Sequence, residues 1–274
     1  LAMKHKWRFG VLGAAAVYLF AIRPEKRHTA NAMKSIYYAH RGLHSREAQA
    51  PENSLAAFRR AVHAGYGIEL DVQLTKDDVP VVFHDFTLQR VCAAAGKIRD
   101  FTLEELKQFH LDGTKEAIPT LAEVLQLVDG QVPLLVEMKC EDLGVHVCEK
   151  ADGILKNYRG NYVMESFNPF ALLWYRRHRP EICRGQLSMN FQRQEGTYDP
   201  QQLIARHLLT NFLSKPDFIA YDIRDKEALS KNICRKWFHC PSVAWTVRSA
   251  GELRKVKPYY DAFIFEGFRP QARK

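Results

Sequence analysis

The feature that most constrains the fold is an alternation of strand-like and helix-like segments that begins near residue 36 and continues almost to the C-terminus. Apolar runs predict nine strands, at residues 36–39, 68–73, 81–84, 134–138, 162–165, 185–189, 218–221, 243–247 and 262–265. Segments with helical periodicity lie between most of them, at 54–64, 121–128, 145–158, 170–178, 201–209, 226–234 and 250–256. This alternation predicts an α/β protein with a parallel sheet, and its length of about 240 residues favours a closed TIM (β/α)8 barrel.

Two irregularities interrupt this pattern. Because eight strands close such a barrel, one of the nine candidates must lie outside the ring. The second and third candidates are joined only by the sequence TKDD at 75–78, which is too short for a crossover helix. Residues 86–119 then contain no clear strand and only a weak helical pattern at 103–109. We therefore expect a small insertion after the third strand, on one rim of the barrel.

The N-terminal region differs in composition from the rest of the chain. Residues 1–34 read as a hydrophobic anchor with a basic linker, and residues 35–274 as the barrel domain. The apolar run at 9–22 would form a helix of about 21 Å, shorter than the hydrocarbon core of a membrane, which is about 30 Å thick. We expect a single hydrophobic helix that associates with a membrane. A cleaved secretion signal and a buried helix are the alternatives.

The charge distribution limits the possible partners. Of the formal net charge of +9, +6 falls within the first 35 residues, so the barrel carries no basic stripe suited to nucleic acid. Basic residues lie on both sides of the segment 9–22, which leaves the membrane orientation open with the cytoplasmic face slightly favoured. The six cysteines form no CxxC pair, which favours free thiols in a reducing compartment. No feature specifies an oligomeric state.

Charged residues occupy one face of two predicted strands. Side chains alternate along a strand, so Glu69 and Asp71 share a face opposite apolar neighbours. In the sequence LLVEMK, Glu137 and Lys139 share a face in the same way. If these faces point into the barrel, the buried charges require a partner or a metal ion.

Two interpretations fit these charges. Three carboxylates directed at one axis form a hard oxygen site suited to Ca²⁺ or Mg²⁺. Alternatively, Glu69 and Glu137 pair with Lys139 and Arg41 in a buried ion network.

Two histidines stand where predicted strands end. His40 and Arg41 follow the first strand and precede Gly42, and His84 ends the third strand. The carboxyl ends of strands carry the active site in α/β barrels. Two histidines suit a general acid and a general base, because their unperturbed pKa lies near neutral pH. The planar guanidinium of Arg41 matches a phosphate group.

Several motifs, taken together in their order, resemble those of glycerophosphodiester phosphodiesterases in the PLC-like phosphodiesterase superfamily. They are HRG at 40–42, PENS at 51–54, ELDVQLTKDDVPVVFHD at 69–85, EMK at 137–139, SFNP at 166–169 and WTV at 245–247. The resemblance covers about residues 36–268. It implies a TIM barrel that hydrolyses glycerophosphodiesters to an alcohol and sn-glycerol 3-phosphate with the help of a metal ion.

The resemblance also implies roles for individual positions. The ligands of one divalent cation, Ca²⁺ or Mg²⁺, match Glu69, Asp71 and Glu137. The acid/base pair matches His40 and His84. The substrate-binding residues match Arg41 and Lys139 at the phosphate, Trp245 at the glycerol, and Phe167 as either a pocket wall or plain core. Residues that brace the first active-site loop match Glu52 and Asn53, although Asn53 would also suit a helix cap.

The sequence departs from the family pattern near its C-terminus. Family members commonly end the last strand with a Thr-Asp-x-Pro run, whereas this chain has Phe-Glu-Gly-Phe at 265–268. Glu266 is a candidate for the place of that acid. Arg248 follows the WTV motif, where it would face an acidic or phosphorylated group. Two further functions stay open: a lysophospholipase D or sphingomyelinase-D-like activity, and a membrane-tethered barrel that binds phosphodiesters without turnover.

Overall fold

The computed structural model describes residues 2–25, 33–196 and 199–271. Its α-helices are α1 (Ala2–Ala21), α2 (Leu55–His63), α3 (Gln89–Cys92), α4 (Leu103–Leu106), α5 (Leu121–Val128), α6 (His146–Leu155), α7 (Pro169–His178), α8 (Gln192–Glu195), α9 (Pro200–Arg206), α10 (Asn211–Ser214), α11 (Leu229–Trp237) and α12 (Ala250–Val256). Its strands are β1 (Tyr37–Ala39), β2 (Gly67–Leu74), β3 (Pro80–Val82), β4 (Leu134–Met138), β5 (Tyr162–Ser166), β6 (Arg184–Ser188), β7 (Phe218–Asp222), β8 (Ser242–Val247) and β9 (Ala262–Phe265).

Eight of these strands close into a parallel ring, in the order β1-β2-β4-β5-β6-β7-β8-β9 and back to β1. The prediction of a TIM barrel is therefore confirmed. The strand outside the ring is β3, which pairs with β2 in the antiparallel direction. It can do so because a short turn is enough to join antiparallel strands, whereas a parallel neighbour would need a crossover.

The barrel has an apolar layer on each side of its wall. On β2, Ile68, Leu70 and Val72 point outward and are fully buried beneath the helices. The inner layer is a second cluster that includes Tyr38, Leu135 and Leu187. The strand alternation thus directs the charged residues of β2 and β4 into the barrel, as the sequence predicts.

The insertion after β3 has a small core of its own. Val81 and Phe83 pack with apolar side chains from the insertion, namely Leu88, Val91, Ile98, Leu106, Leu111 and Ile118. Within it, α3 and α4 are each four residues long. The excursion predicted at 86–119 is therefore a folded cap on one rim, anchored through β3 to the strand that carries Glu69 and Asp71.

The N-terminal helix ends against the barrel. Ile22 is fully buried, and its carbonyl oxygen accepts a hydrogen bond from Asn211 Nδ2 at 2.9 Å. Farther back on α1, Leu12, Val17 and Phe20 are 62–69% exposed. Among the described residues, no helix is both long enough and apolar enough to span a bilayer. Residues 26–32 of the predicted linker lie outside the described residues.

All six cysteines are free thiols. They are Cys92, Cys140, Cys148, Cys183, Cys234 and Cys240, and the last four of them are buried. This confirms the prediction of unpaired thiols, and burial raises the pKa of the Cys140 thiol, near the barrel mouth, to about 11.

Candidate active site

Three buried carboxylates meet near the carboxyl ends of β2 and β4. These strands are neighbours, and Asp71 lies opposite Glu137 in their register. Each of Glu69, Asp71 and Glu137 places a carboxylate oxygen within 4.8 Å of the others. The three side chains are at most 8% exposed, so water screens their mutual repulsion only weakly. The structure thus brings together the three residues predicted as metal ligands.

Two basic residues lie against this group. Lys139 Nζ is 3.1 Å from Glu137 Oε1 and 3.7 Å from Asp71 Oδ1. Arg41 Nε is 3.6 Å from Asp71 Oδ2, and the Arg41 backbone N–H donates to Glu69 Oε2 at 2.8 Å. The ion network considered as an alternative to a metal site is therefore present. This network leaves one buried acceptor without a hydrogen bond, because no described residue donates to Asp71 Oδ1.

The protonation preferences of the three carboxylates differ. Burial raises the pKa of Glu69 well above its usual range, and the neighbouring Asp71 adds to the effect. Burial also raises the pKa of Glu137, against the opposing charge of Lys139. Burial acts the same way on Asp71, but the charges of His84, Lys139 and Arg41 outweigh it and hold its pKa below the usual range. A divalent cation would supply the positive charge that allows all three to ionise together, so the donor set fits a hard metal ion.

A sharp turn after β1 forms the first active-site loop. Arg41 has φ 54° and Gly42 has φ 84°, both in the left-handed region. A Cβ atom on Gly42 would lie 2.9 Å from the Cβ of Ala57, so glycine is required there on steric grounds too. The turn directs the Arg41 side chain toward Asp71, while its Nη1 donates to Glu52 Oε1 at 2.7 Å. Such a φ is uncommon for a non-glycine residue.

Asn53 braces the metal-ligand candidates rather than a helix. Its Nδ2 donates to Asp71 Oδ2 at 2.9 Å, and its backbone N–H donates to the carbonyl of Arg41 at 2.9 Å. The N-cap of α2 is Ser54, whose hydroxyl accepts from the Ala57 N–H. The alternative of helix capping by Asn53 is therefore wrong, because capping falls to the next residue.

The two histidines flank the carboxylates. His40 Nε2 lies 4.0 Å from Glu69 Oε2, and His40 Nδ1 lies 2.5 Å from Glu266 Oε2. His84 Nδ1 lies 2.6 Å from Asp85 Oδ1. Burial lowers the pKa of His40, against the bond to Glu266. Both histidines thus direct Nδ1 at a carboxylate and leave Nε2 available for other contacts.

Aromatic side chains form the opposite wall of the mouth. Trp245 lies on β8, which is four strands from β4 around the ring and therefore faces it. The Phe167 ring contacts the Trp245 ring edge-on, with centroids 5.7 Å apart. Both side chains are partly exposed and pack against the inner apolar cluster. Gln186 Nε2 donates to the Phe167 carbonyl at 3.1 Å and fixes this segment.

Other residues reach the site although the motifs do not single them out. Gln73 Nε2 donates to the carbonyls of Phe83 at 2.7 Å and Asp85 at 2.8 Å, which holds the loop that carries His84. Glu165 is the register neighbour of Glu137 and is 1% exposed; burial raises its pKa well above the usual range. Strand alternation could have identified both, because each points inward beside a predicted ligand.

A parallel barrel with buried carboxylates and two histidines at the strand ends defines this molecule as a TIM-barrel enzyme. The chain belongs to the glycerophosphoryl diester phosphodiesterase family, whose model matches residues 40–213. It is 39% identical over 167 residues to a glycerophosphodiester phosphodiesterase of Caldanaerobacter subterraneus, covering 57% of this chain and 67% of that protein. It is 26% identical over 258 residues to glycerophosphodiester phosphodiesterase 1 of Bos taurus, covering 82% and 74% respectively.

Solved structures show the same architecture. A phosphodiesterase of Oleispira antarctica, in complex with the product sn-glycerol-3-phosphate, superimposes with a TM-score of 0.70 and 28% identity. The match covers 86% of this chain and 94% of that one. A glycerophosphodiester phosphodiesterase of Thermotoga maritima matches with a TM-score of 0.65 and 26% identity over 84% and 93% of the two chains.

Proposed function

We propose that this protein hydrolyses glycerophosphodiesters to an alcohol and sn-glycerol 3-phosphate, with the help of one divalent cation. The observation that carries the proposal is the buried carboxylate triad, flanked by two histidines, an arginine and a lysine at the mouth of the barrel. Family membership supports the same reaction. The Oleispira antarctica phosphodiesterase holds the product of this chemistry on the same fold.

The cation would be held by Glu69, Asp71 and Glu137. Carboxylate oxygens are hard ligands that suit Ca²⁺ and Mg²⁺, and both ions stay candidates here. When bound, the cation supplies positive charge to a phosphodiester oxygen and stabilises the charge that develops there during hydrolysis. Asn53 holds Asp71 in place through its 2.9 Å hydrogen bond, which fixes the orientation of one ligand.

Arg41 and Lys139 would bind the phosphate. Both lie against the triad and both are largely buried, so their charges are weakly screened. Asp71 and Glu52 raise the pKa of Arg41 although burial opposes them, so the guanidinium stays charged. The planar guanidinium matches the oxygens of a phosphate group.

His40 and His84 would transfer the protons. One removes a proton from the nucleophile, which is water or the neighbouring glycerol hydroxyl, as a new bond to phosphorus forms. The other gives a proton to the oxygen of the leaving alcohol as its bond to phosphorus breaks. With water as the nucleophile, this step yields glycerol 3-phosphate directly. With the glycerol hydroxyl as the nucleophile, it leaves a cyclic phosphate, and water must then attack phosphorus while the bond to that hydroxyl oxygen breaks and the oxygen regains its proton. Trp245 and Phe167 would form the apolar wall against which the glycerol lies. Because every residue that this scheme uses is present, we favour turnover over simple binding.

A coupled assay tests this function. Release of glycerol 3-phosphate from glycerophosphocholine should occur with Ca²⁺ or Mg²⁺, stop in excess EDTA, and return when either cation is added back. The same assay on lysophosphatidylcholine, followed by choline release, separates the lysophospholipase D alternative. Tight binding of glycerophosphocholine without any release would instead support the non-catalytic barrel. Full activity in EDTA would remove the cation from the scheme.

We further propose that α1 attaches the enzyme to a membrane surface. The exposed Leu12, Val17 and Phe20 are apolar, and the Phe20 ring lies 5.7 Å from that of Phe212, which is itself 43% exposed. Basic residues precede this stretch in the sequence. Apolar side chains with nearby positive charge are typical of helices that lie in the membrane interface.

Vesicle sedimentation tests this attachment. The wild-type chain should sediment with anionic vesicles and resist extraction by salt, whereas the triple variant Leu12→Ser, Val17→Ser, Phe20→Ser should stay in the supernatant. A matched control replaces three other exposed apolar residues, Leu143, Leu229 and Trp237, with Ser and should sediment like wild type. Equal sedimentation of both triple variants would show that attachment does not depend on α1.

A further inference from the structure

His40 is bonded to a carboxylate that arrives from the other end of the chain. Glu266 follows β9, 226 residues after His40, and the two meet because β1 and β9 are neighbours where the barrel closes. The His40 backbone N–H donates to the Phe265 carbonyl at 2.9 Å, which fixes the two main chains relative to each other. The Glu266 carboxylate then lies 2.5 Å from His40 Nδ1.

The second oxygen of Glu266 is also held. Arg248, which follows β8, places Nε 2.7 Å from Glu266 Oε1. The Glu266 backbone N–H donates to the Val247 carbonyl at 3.0 Å, so both ends of the residue are fixed. Glu266 is therefore oriented from two directions before it contacts the imidazole.

The second histidine has the same arrangement from unrelated positions. Asp85 Oδ1 lies 2.6 Å from His84 Nδ1, and Arg90 Nε donates to Asp85 Oδ2 at 2.6 Å. Each histidine thus begins a chain of imidazole, carboxylate and guanidinium: His40–Glu266–Arg248 and His84–Asp85–Arg90. The first chain joins three different strand ends, whereas the second lies in the loop that follows β3 and in α3 of the insertion.

A carboxylate at Nδ1 determines which nitrogen of the imidazole holds the proton. The carboxylate accepts a hydrogen bond from the Nδ1–H group. This bond keeps the proton of the neutral ring on Nδ1 and fixes the ring plane. The unprotonated Nε2 then faces the substrate, and in His40 it is the nitrogen on the side of Glu69. A carboxylate behind a catalytic histidine also stabilises the imidazolium that forms during proton transfer.

We propose that Glu266 is a positioning residue for the proposed hydrolysis: it holds His40 with Nε2 toward the phosphate, and Arg248 holds Glu266. This inference rests on the proposed function. It assigns a role to the segment that departs from the family pattern at the last strand. Glu266 and Arg248 also lie outside residues 40–213, so the matched region does not contain them.

The test compares Glu266→Gln, Glu266→Asp and Arg248→Met with wild type in the intact chain. Loss of an outer carboxylate behind a functional histidine should lower kcat about 10- to 100-fold in Glu266→Gln, with KM nearly unchanged. Glu266→Asp should recover part of kcat, because the charge is retained on a shorter side chain. Arg248→Met should cause a smaller fall, because Arg248 is 59% exposed and acts only through Glu266. The matched control Glu47→Gln neutralises an exposed glutamate on the same loop as His40 and should behave like wild type.

A spectroscopic measurement separates this inference from the function itself. The ¹⁵N shifts of His40 report its tautomer, and they should indicate a proton on Nδ1 in wild type and a mixture of tautomers in Glu266→Gln. This result would support the contact even if no glycerophosphodiester were hydrolysed. Unchanged kcat in a folded Glu266→Gln variant would overturn the proposal. Loss of thermal stability without loss of kcat per folded molecule would show that Glu266 only holds the rim together.

Discussion

Two buried groups of charges lie at opposite ends of the barrel. At the carboxyl ends of the strands is the site cluster, made of Glu69, Asp71, Glu137, Arg41 and Lys139. At the amino ends is the floor cluster, in which Arg184 Nη1 lies 3.6 Å from Asp217 Oδ2. The Arg184 backbone N–H donates to the same Asp217 oxygen at 3.0 Å, and its Nε donates to the Ser214 carbonyl at 3.4 Å. Both clusters are largely buried.

The difference lies in charge balance. The floor cluster pairs a fully buried guanidinium with a fully buried carboxylate, with Glu25 3.9 Å away at the edge. The site cluster sets three carboxylates against one lysine and one arginine, and the arginine also pairs with Glu52. Buried charges persist when they are paired, so the floor cluster is a structural ion pair, whereas the site cluster has an excess of carboxylates that could hold a further cation.

The largest expected effect comes from the carboxylates of the site cluster. Glu69→Gln, Asp71→Asn and Glu137→Gln should each abolish hydrolysis, because each removes one charge from the cation site. The fold should survive Glu69→Gln and Glu137→Gln, since each change relieves repulsion between buried carboxylates. Asp71→Asn should also lower stability, because Arg41 and Lys139 lose a charged partner. Glycerol 3-phosphate release and thermal unfolding measure the two effects. An active Asp71→Asn variant would show that the cluster is only a structural network.

The second-largest effect on kcat is expected from replacing the two histidines of the site. His40→Ala and His84→Ala should each lower kcat by about two to four orders of magnitude, the range typical of general acid–base catalysis. His63 is exposed on α2, so His63→Ala is the matched control and should leave kcat unchanged. Near-normal turnover in either site variant would identify that histidine as structural.

A smaller effect is expected from Asn53, whose side chain holds Asp71, and it should appear in cation affinity. Asn53→Ala removes the donor to Asp71 Oδ2 and should weaken cation affinity about 10- to 100-fold, as loss of an outer partner typically does. At saturating cation, kcat should recover toward wild type. The measurement is activity as a function of Ca²⁺ or Mg²⁺ concentration. A variant whose activity stays low at every concentration would contradict a role through the cation.

The smallest effect on turnover is expected at the floor cluster. Arg184→Met leaves Asp217 buried without its guanidinium, which should lower the free energy of unfolding by about 3–5 kcal/mol. Because Arg184 begins β6 at the far end of the barrel, kcat per folded molecule should not change. Denaturant unfolding and activity on the same sample check both statements. Lost turnover in a folded variant would show that the two clusters are coupled.

Much of the site cluster could be predicted from the sequence, because the direction of its side chains depends on local patterns. Strand alternation places Glu69, Asp71 and Glu137 inside the barrel, and the carboxyl end of β1 places His40 at its mouth. The same rule does not explain His84, because β3 is antiparallel to β2 and lies outside the ring. The short link between β2 and β3 indicates that they are not parallel neighbours, although the pattern alone did not show that β3 is the strand outside the ring.

Contacts between distant parts of the chain could not be predicted in this way. The bond between His40 and Glu266 depends on how the first and last strands meet, and no local pattern encodes it. The same holds for Ile22, which the apolar run assigned to the N-terminal anchor but which is buried against Asn211 of the barrel. Local periodicity indicates which face of a helix or strand is buried, whereas the residues that this face contacts depend on the closed fold.

The most direct test of a cation at the site cluster is a cation titration followed by thermal unfolding, in chelator-treated wild type and in Asp71→Asn. If the site cluster needs a cation, Ca²⁺ or Mg²⁺ should stabilise wild type by about 2.7 kcal/mol at 100 times the dissociation constant. Asp71→Asn should show little or no shift over the same range. A cation at the site cluster would be contradicted if neither Ca²⁺ nor Mg²⁺ changed the unfolding midpoint of wild type and the chelated enzyme kept its full activity.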